Sequence, residues 1–133
     1  MVVLDTTILI DVLKKDENAI EKIKKLEENE SEIFTTQINV FELIQGTFAF
    51  SNRIEEELME IDLLIQRLKV LDLTSSAANK AGMISGNLIR KKNFVNSKDI
   101  LIAGTALANN EKTIVTRNTK DFKKILGIKV ETY

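Results

Sequence analysis

Apolar positions along the chain follow two alternating rhythms. Short β-branched runs occur at 2–5 (VVLD), 32–36 (EIFTT), 69–73 (KVLDL), 113–116 (TIVT) and 128–132 (IKVET). Between them apolar residues recur at helical spacing. TTILIDVLKK reads as a first helix, with Thr6 or Thr7 as its N-cap. Residues 17–28 put Ile20, Ile23 and Leu26 on one face. Residues 37–50 carry Ile38, Phe41, Leu43, Ile44 and Phe48. The helix over 53–67 turns Leu58, Ile61, Leu64 and Ile65 inward, with Leu68 just beyond it. Ser75 or Ser76 opens a helix running to about residue 92, and FVNSKD is a loop. Ser97 then caps a nearly all-apolar helix over 99–110, and TKDFKKIL is a short last helix.

Strands alternating with helices predict a parallel sheet with helices on both faces. The apolar, β-branched strands are those of a sheet buried on both sides. The helix over 99–110 is apolar all round and rich in Ala and Gly, so it is expected inside the fold. No internal repeat or linker interrupts the pattern, and 1–133 reads as a single domain. A chain of this length buries roughly two-thirds of its unfolded surface, enough for a real core.

Composition narrows the chemistry. The chain has no Pro, Cys, His or Trp. That removes disulfides, thiol nucleophiles and zinc–thiolate sites. It also removes a Ser-His-Asp triad and imidazole metal ligands. Any acid–base or metal chemistry must rest on carboxylates, Lys, Tyr133 and backbone groups. The apolar N-terminal stretch lacks a basic leader region and is broken by Asp5 and Asp11. The longest uncharged apolar run, 100–108, is far short of the roughly 18 residues needed to span a bilayer, so no membrane association and a cytoplasmic location are expected.

The net charge of −1 hides an asymmetry. Residues 1–79 hold 8 basic and 16 acidic side chains, whereas residues 80–133 hold 11 basic and 4 acidic. A phosphodiester partner would be drawn to the basic half, which includes Arg90, Lys91, Lys92, Lys98 and Arg117. Equally, these can be ordinary solvated helix faces.

Four acidic residues stand out by position. Asp5 ends the first strand, where ligands of open α/β sheets bind, although it could simply cap the next helix. Glu42 interrupts the apolar run INVFELIQG, a place that a solvated helix position also allows. Asp99 lies in the first turn of the apolar helix, where the dipole favours a carboxylate. Asp121 follows the fourth strand in TRNTKDF, with Thr116 and Asn118 between strand and helix. Carboxylates converging in one pocket would raise one another's pKa unless a cation neutralised them. With oxygen ligands alone, the fitting cation is Mg²⁺ or Mn²⁺, which suits phosphoryl chemistry.

The strings VLDTTILID, INVFELIQG, SKDILIAGTALANN and IVTRNTKDF, in this order, resemble the four motif regions of PIN domains, and especially the VapC toxins of toxin–antitoxin pairs. The resemblance spans essentially the whole chain. It implies a three-layer α/β/α fold with a central parallel sheet, and a Mg²⁺- or Mn²⁺-dependent endoribonuclease that leaves a 5′-phosphate and a 3′-hydroxyl. RNA, tRNA included, would be the substrate. An antitoxin partner and a homodimer are implied as well. Residue by residue, Asp5, Glu42 and Asp99 match the family's first three acidic ligands. The fourth position falls on Asn118 or Asp121. Thr6 and Thr116 match hydroxyls that bond to the ligands, and Asn118 can supply an amide oxygen. Arg117, Lys98 and the cluster Arg90, Lys91 and Lys92 would hold the RNA strand.

Two other classes compete. A receiver domain or phosphatase shares the α/β acidic pocket, but a receiver carries an adjacent acidic pair after its first strand, where Asp5 is followed by Thr6 and Thr7. A non-catalytic RNA- or protein-binding module on a PIN-like fold is left open by Asn118.

Overall fold

The computed structural model describes all residues 1–133. Five parallel strands form one sheet: β1 (Val2–Leu4), β2 (Ile33–Thr36), β3 (Lys69–Leu71), β4 (Thr113–Val115) and β5 (Lys129–Glu131). Their order across the sheet is β3-β2-β1-β4-β5. Seven helices connect them: α1 (Thr6–Leu13), α2 (Glu17–Glu28), α3 (Gln37–Phe50), α4 (Ile54–Ile65), α5 (Ser75–Arg90), α6 (Ser97–Ala108) and α7 (Thr119–Phe122). The element order is the one predicted from the apolar rhythm, with each strand one or two residues shorter.

Pleating sends alternate side chains of β1 into two cores. Val2 and Leu4 join Ile8, Leu9, Ile23 and Leu64 beneath α1, α2 and α4. Val3 joins Ile102, Ala103, Ala106, Ile114 and Phe122 beneath α5, α6 and α7. This is the expected α/β/α layering, and no helix is long and apolar enough to cross a membrane. The helix α6 lies inside as predicted, with Ile100, Ile102, Ala103, Gly104, Thr105 and Ala106 buried. Gly104 permits that position: a Cβ there would stand 2.7 Å from the Ala81 Cβ of α5.

The structure corrects several local expectations. The N-cap of α1 is Asp5 rather than Thr6 or Thr7. That of α5 is Thr74, whose hydroxyl accepts from the Ala77 N–H, and that of α6 is Asn96, whose side chain accepts from the Lys98 N–H. Each true cap lies one or two residues upstream of the serine or threonine chosen from the sequence. Ile20 is exposed, because α2 turns Ala19, Ile23 and Leu26 to the sheet instead. Phe41, Ile44 and Phe48 are also exposed. Ile38 and Leu43 of α3 are consumed by the two cores, and no further layer covers the opposite face.

Candidate active site

The sheet order creates one place where connections diverge. From β1 the chain moves towards β2 and β3, then crosses to β4 on the other side of β1. The carboxyl ends of β1 and β4 therefore border a crevice, the usual ligand position in open α/β sheets. Asp5 emerges from β1 there and Thr116 from β4, tied by the Asp5 N–H donating to the Val115 carbonyl at 3.0 Å. Glu42 enters from α3, Asp99 from the first turn of α6, and Asp121 from α7.

Asp5 is 3% exposed and is held by three side chains. Its Oδ2 accepts from Thr116 Oγ1 at 2.7 Å and from Thr7 Oγ1 at 3.3 Å. Its Oδ1 accepts from Asn39 Nδ2 at 3.3 Å. Thr6 Oγ1 donates to Glu42 Oε1 at 2.9 Å and itself accepts from Asn39 Nδ2 at 2.9 Å. Asn118 Nδ2 donates to Asp99 Oδ2 at 3.1 Å and to Asp121 Oδ2 at 3.4 Å. Asn118 also donates its backbone N–H to Thr116 Oγ1 at 2.9 Å, which links the two halves of the crevice.

The electrostatics are those of crowded anions. Burial pushes the Asp5 carboxyl up, against hydrogen bonds from the Thr116 and Thr7 hydroxyls and from the Thr6 and Thr7 backbone. Burial raises Glu42 too, with the Asp5 charge adding to it while Thr6 and Lys98 oppose. Asp99 is pushed up to about 7, first by burial and then by the charges of Asp5, Glu42 and Asp121, with only Lys98 opposing. These mutual effects bring Asp5, Glu42, Asp99 and Asp121 into one electrostatic neighbourhood. Asp121 has a cation beside it, Lys124 Nζ at 3.7 Å from its Oδ1.

The carboxylates are held apart rather than closed on one point: no three acidic side chains converge as ligands of a single ion. Thr6 restrains Glu42 on one side, and the Asn118 amide restrains Asp99 and Asp121 on the other. The donor set still fits a hard divalent cation. It is all oxygen, strongly anionic and short of neutralising side chains.

The basic residues are unequally placed. Lys98 follows the N-cap of α6 by two residues, at the rim beside Asp99, and reaches α3 to donate to Gln45 Oε1 at 3.2 Å. Arg117 follows β4 at the same end, and its backbone N–H donates to Thr7 Oγ1 at 2.9 Å. Its guanidinium pairs with Asp11 Oδ1 at 3.3 Å, so it is not a free cation. Arg90 ends α5, and Lys91 and Lys92 lie in the exposed turn leading to α6. The contact of Ala81 with Gly104, a similar distance on either side of that turn, makes α5 and α6 an antiparallel hairpin. The cluster therefore lies at the Asp99 end of α6.

Sequence reasoning missed Asn39, the fully buried amide joining Asp5, Thr6 and Thr36. The signal was present. Thr36 and Asn39 form a capping box, in which Asn39 N–H donates to Thr36 Oγ1 and Thr36 N–H to Asn39 Oδ1. A T-x-x-N at the start of an apolar helix is a variant of that signature. The contact of Tyr133 and Arg117 with Asp11 was missed as well, and nothing local marks it.

A parallel α/β/α sheet with four acidic side chains gathered at its crossover defines a class. The PIN domain profile matches residues 2–127, and the chain belongs to the PIN domain family. Within that family it is similar to VapC proteins over nearly its whole length. It is 34% identical over 130 residues to the tRNA(fMet)-specific endonuclease VapC of Salmonella typhimurium, covering 98% of this chain and 96% of that protein. It is 31% identical, with the same coverage, to the tRNA(fMet)-specific endonuclease VapC of Shigella flexneri. Its fold superposes with a TM-score of 0.90 on a chain of VapBC2 from Rickettsia felis, solved bound to a DNA fragment from their promoter. That match has 27% identity and covers 100% of this chain and 99% of the other.

Proposed function

We propose that this chain is a Mg²⁺- or Mn²⁺-dependent endoribonuclease, the toxin of a toxin–antitoxin pair, cutting a structured RNA of the tRNA class. The observation that carries this is the placement of Asp5, Glu42, Asp99 and Asp121 around the crossover of a PIN fold, tied by Thr6, Thr116 and Asn118. The repulsion among them is an expense that a bound cation removes. Asp5, Asp99, Asp121 and Glu42 would hold the ion, which supplies a bound water of lowered pKa and neutralises charge on the phosphate. Thr116, Thr7 and Asn39 fix Asp5, and Thr6 fixes Glu42. Asn118 acts here as a donor that orients Asp99 and Asp121, so Asp121 fills the fourth acidic position. Lys98 and the turn at 90–92 give the RNA backbone its electrostatic footing, and Arg117 would join them only by leaving Asp11.

The names of the relatives support an RNA substrate, and tRNA is the class to try first. A groove of about 440 Å³ between α1, α3 and α4 combines apolar Ile10, Leu43 and Phe50 with charged Lys14 and Arg53 and reaches Glu42. It suits a partner segment, and the VapBC assemblies among the structural relatives support an antitoxin in that role. Met83 and Ile89, exposed on α5, suit the second copy of a homodimer.

The test is cleavage of total tRNA by the purified chain with Mn²⁺, with Mg²⁺ and with EDTA. Cleavage should need the metal and fall at least about 100-fold in Asp5→Asn, given the part a metal site plays in generating the nucleophile. Metal-independent cleavage, or full activity of Asp5→Asn, would refute the reading. RNA binding without cleavage in any metal would favour the non-catalytic module.

A further inference from the structure

One corner of the site rim is unexplained by the acidic chemistry. Phe41 precedes Glu42 on α3 and leaves 54% of its surface exposed. The Lys98 ammonium hangs over its ring, 5.7 Å from the centroid, near the ~6 Å outer limit of cation–π contact. The same ammonium donates to Gln45 Oε1, one helical turn beyond Phe41. Helix stability does not account for Lys98, since a cation in the first turn opposes the helix dipole. Core packing does not account for Phe41, since Ile38 and Leu43 supply the buried contacts of α3. Gln45 is exposed, and its amide nitrogen donates no hydrogen bond within the protein.

A flat apolar ring, a half-buried cation and an amide donor, beside carboxylates proposed to address a phosphodiester, match one ligand chemistry. Unpaired bases stack on aromatic rings, their phosphates pair with cations, and their edges take amide hydrogen bonds. Duplex RNA buries those base faces and could not use the ring. We propose that Phe41, Gln45 and Lys98 form a nucleobase subsite that receives an unpaired base of RNA flanking the cleaved bond. The base stacks on Phe41, Gln45 Nε2 donates to its edge, and Lys98 moves from the ring to the adjoining phosphate. The subsite deepens the endonuclease reading and rests on it for the identity of the ligand, but its test does not depend on cleavage.

The chain contains no Trp, so Phe41→Trp creates a single reporter. The full-length variant is titrated in EDTA with a single-stranded 2′-O-methyl RNA oligonucleotide, and with the same backbone made abasic. Base stacking predicts quenching by the first and none by the second. In parallel, Phe41→Leu should weaken binding of the base-bearing oligonucleotide on the order of tenfold and leave the abasic one unchanged. Phe41→Tyr should restore the loss. Equal quenching by both ligands, or unchanged affinity in Phe41→Leu, overturns the subsite. Reporter emission that changes with protein concentration and ignores RNA also overturns it, because a second copy would then cover the ring. Quenching without metal-dependent cleavage would sustain the subsite and refute the nuclease; cleavage without quenching would do the reverse.

Discussion

Replacing Asp99 with Asn isolates the electrostatic strain of the acidic crevice. Asn keeps the shape, and its Oδ1 can still accept from Asn118 Nδ2. The wild-type carboxyl rises from 3.8 to about 7 on folding, by burial first and then by Asp5, Glu42 and Asp121. At about 1.4 kcal/mol per pKa unit this corresponds to an upper bound near 4 kcal/mol. Asp99 is only half-buried, so solvent screening brings the expected figure to about 1–2 kcal/mol. The folded pKa lies above the unfolded one, so the folded state binds the extra proton. Its contribution to stability is therefore present below pH 3.8 and is lost as pH rises through about 7. Urea melts followed by circular dichroism in EDTA, at pH 5 and pH 8, read this directly. Wild type should lose stability between the two pH values. Asp99→Asn should lose about 1–2 kcal/mol less, and at pH 8 it should be the more stable protein. Asp5 and Glu42 shift in the same direction and remain in both proteins, so the difference reports Asp99. Added Mn²⁺ at pH 8 should raise the wild-type midpoint and move the variant's far less. An identical pH response in the two proteins, or a variant less stable at pH 8, would refute the account of Asp99.

Two further outcomes follow from packing and hydrogen bonding. Asn39→Ala removes the donor to Asp5 and Thr6 and the acceptor for Thr36, and should cost about 1–3 kcal/mol in urea melts; a loss under 0.5 kcal/mol would deny Asn39 its linking role. Gly104→Ala drives a methyl to 2.7 Å from Ala81 Cβ and 2.8 Å from its backbone, and should cost about 1–3 kcal/mol by thermal melt. A neutral Gly104→Ala would mean that α5 and α6 can slide apart freely.

Much of this was legible in the primary order, and what was not has identifiable causes. The alternation of β-branched runs with helical spacing gave every strand and helix, because a sheet buried on both faces demands it. The ends of helices were less legible. The chain leaves α1 and α5 through left-handed residues at Lys15 and Lys92, with φ of 62° and 54°, where glycine is the usual signal. The acidic residues could be ranked by their position at strand and helix ends. Their partners could not, since Thr116 meets Asp5 across 111 positions and Asn118 meets Asp99 across 19. Nor did the charge pattern tell that Arg117 would be occupied by Asp11, 106 positions earlier and buried in α1.

Unequal restraint of the four acids suggests how one site can be both rigid and adjustable. Asp5 is gripped by three donors and 3% exposed, so the end of β1 supplies a fixed anion. Asp99 and Asp121 share one amide, Asn118 Nδ2, at 3.1 and 3.4 Å. That amide carries two hydrogens, one for each acceptor, so it holds both carboxylates, Asp121 by the longer contact. The acids on α6 and α7 thus have fewer side-chain donors each than the one at the end of the sheet strand. Were a cation to bind as proposed, Asp99 and Asp121 would be the acids to adjust, while Asn39 keeps Asp5 and Thr6, and through Thr6 Glu42, in register with the start of α3. Relief of the burial and repulsion that raise Asp99 would favour that adjustment.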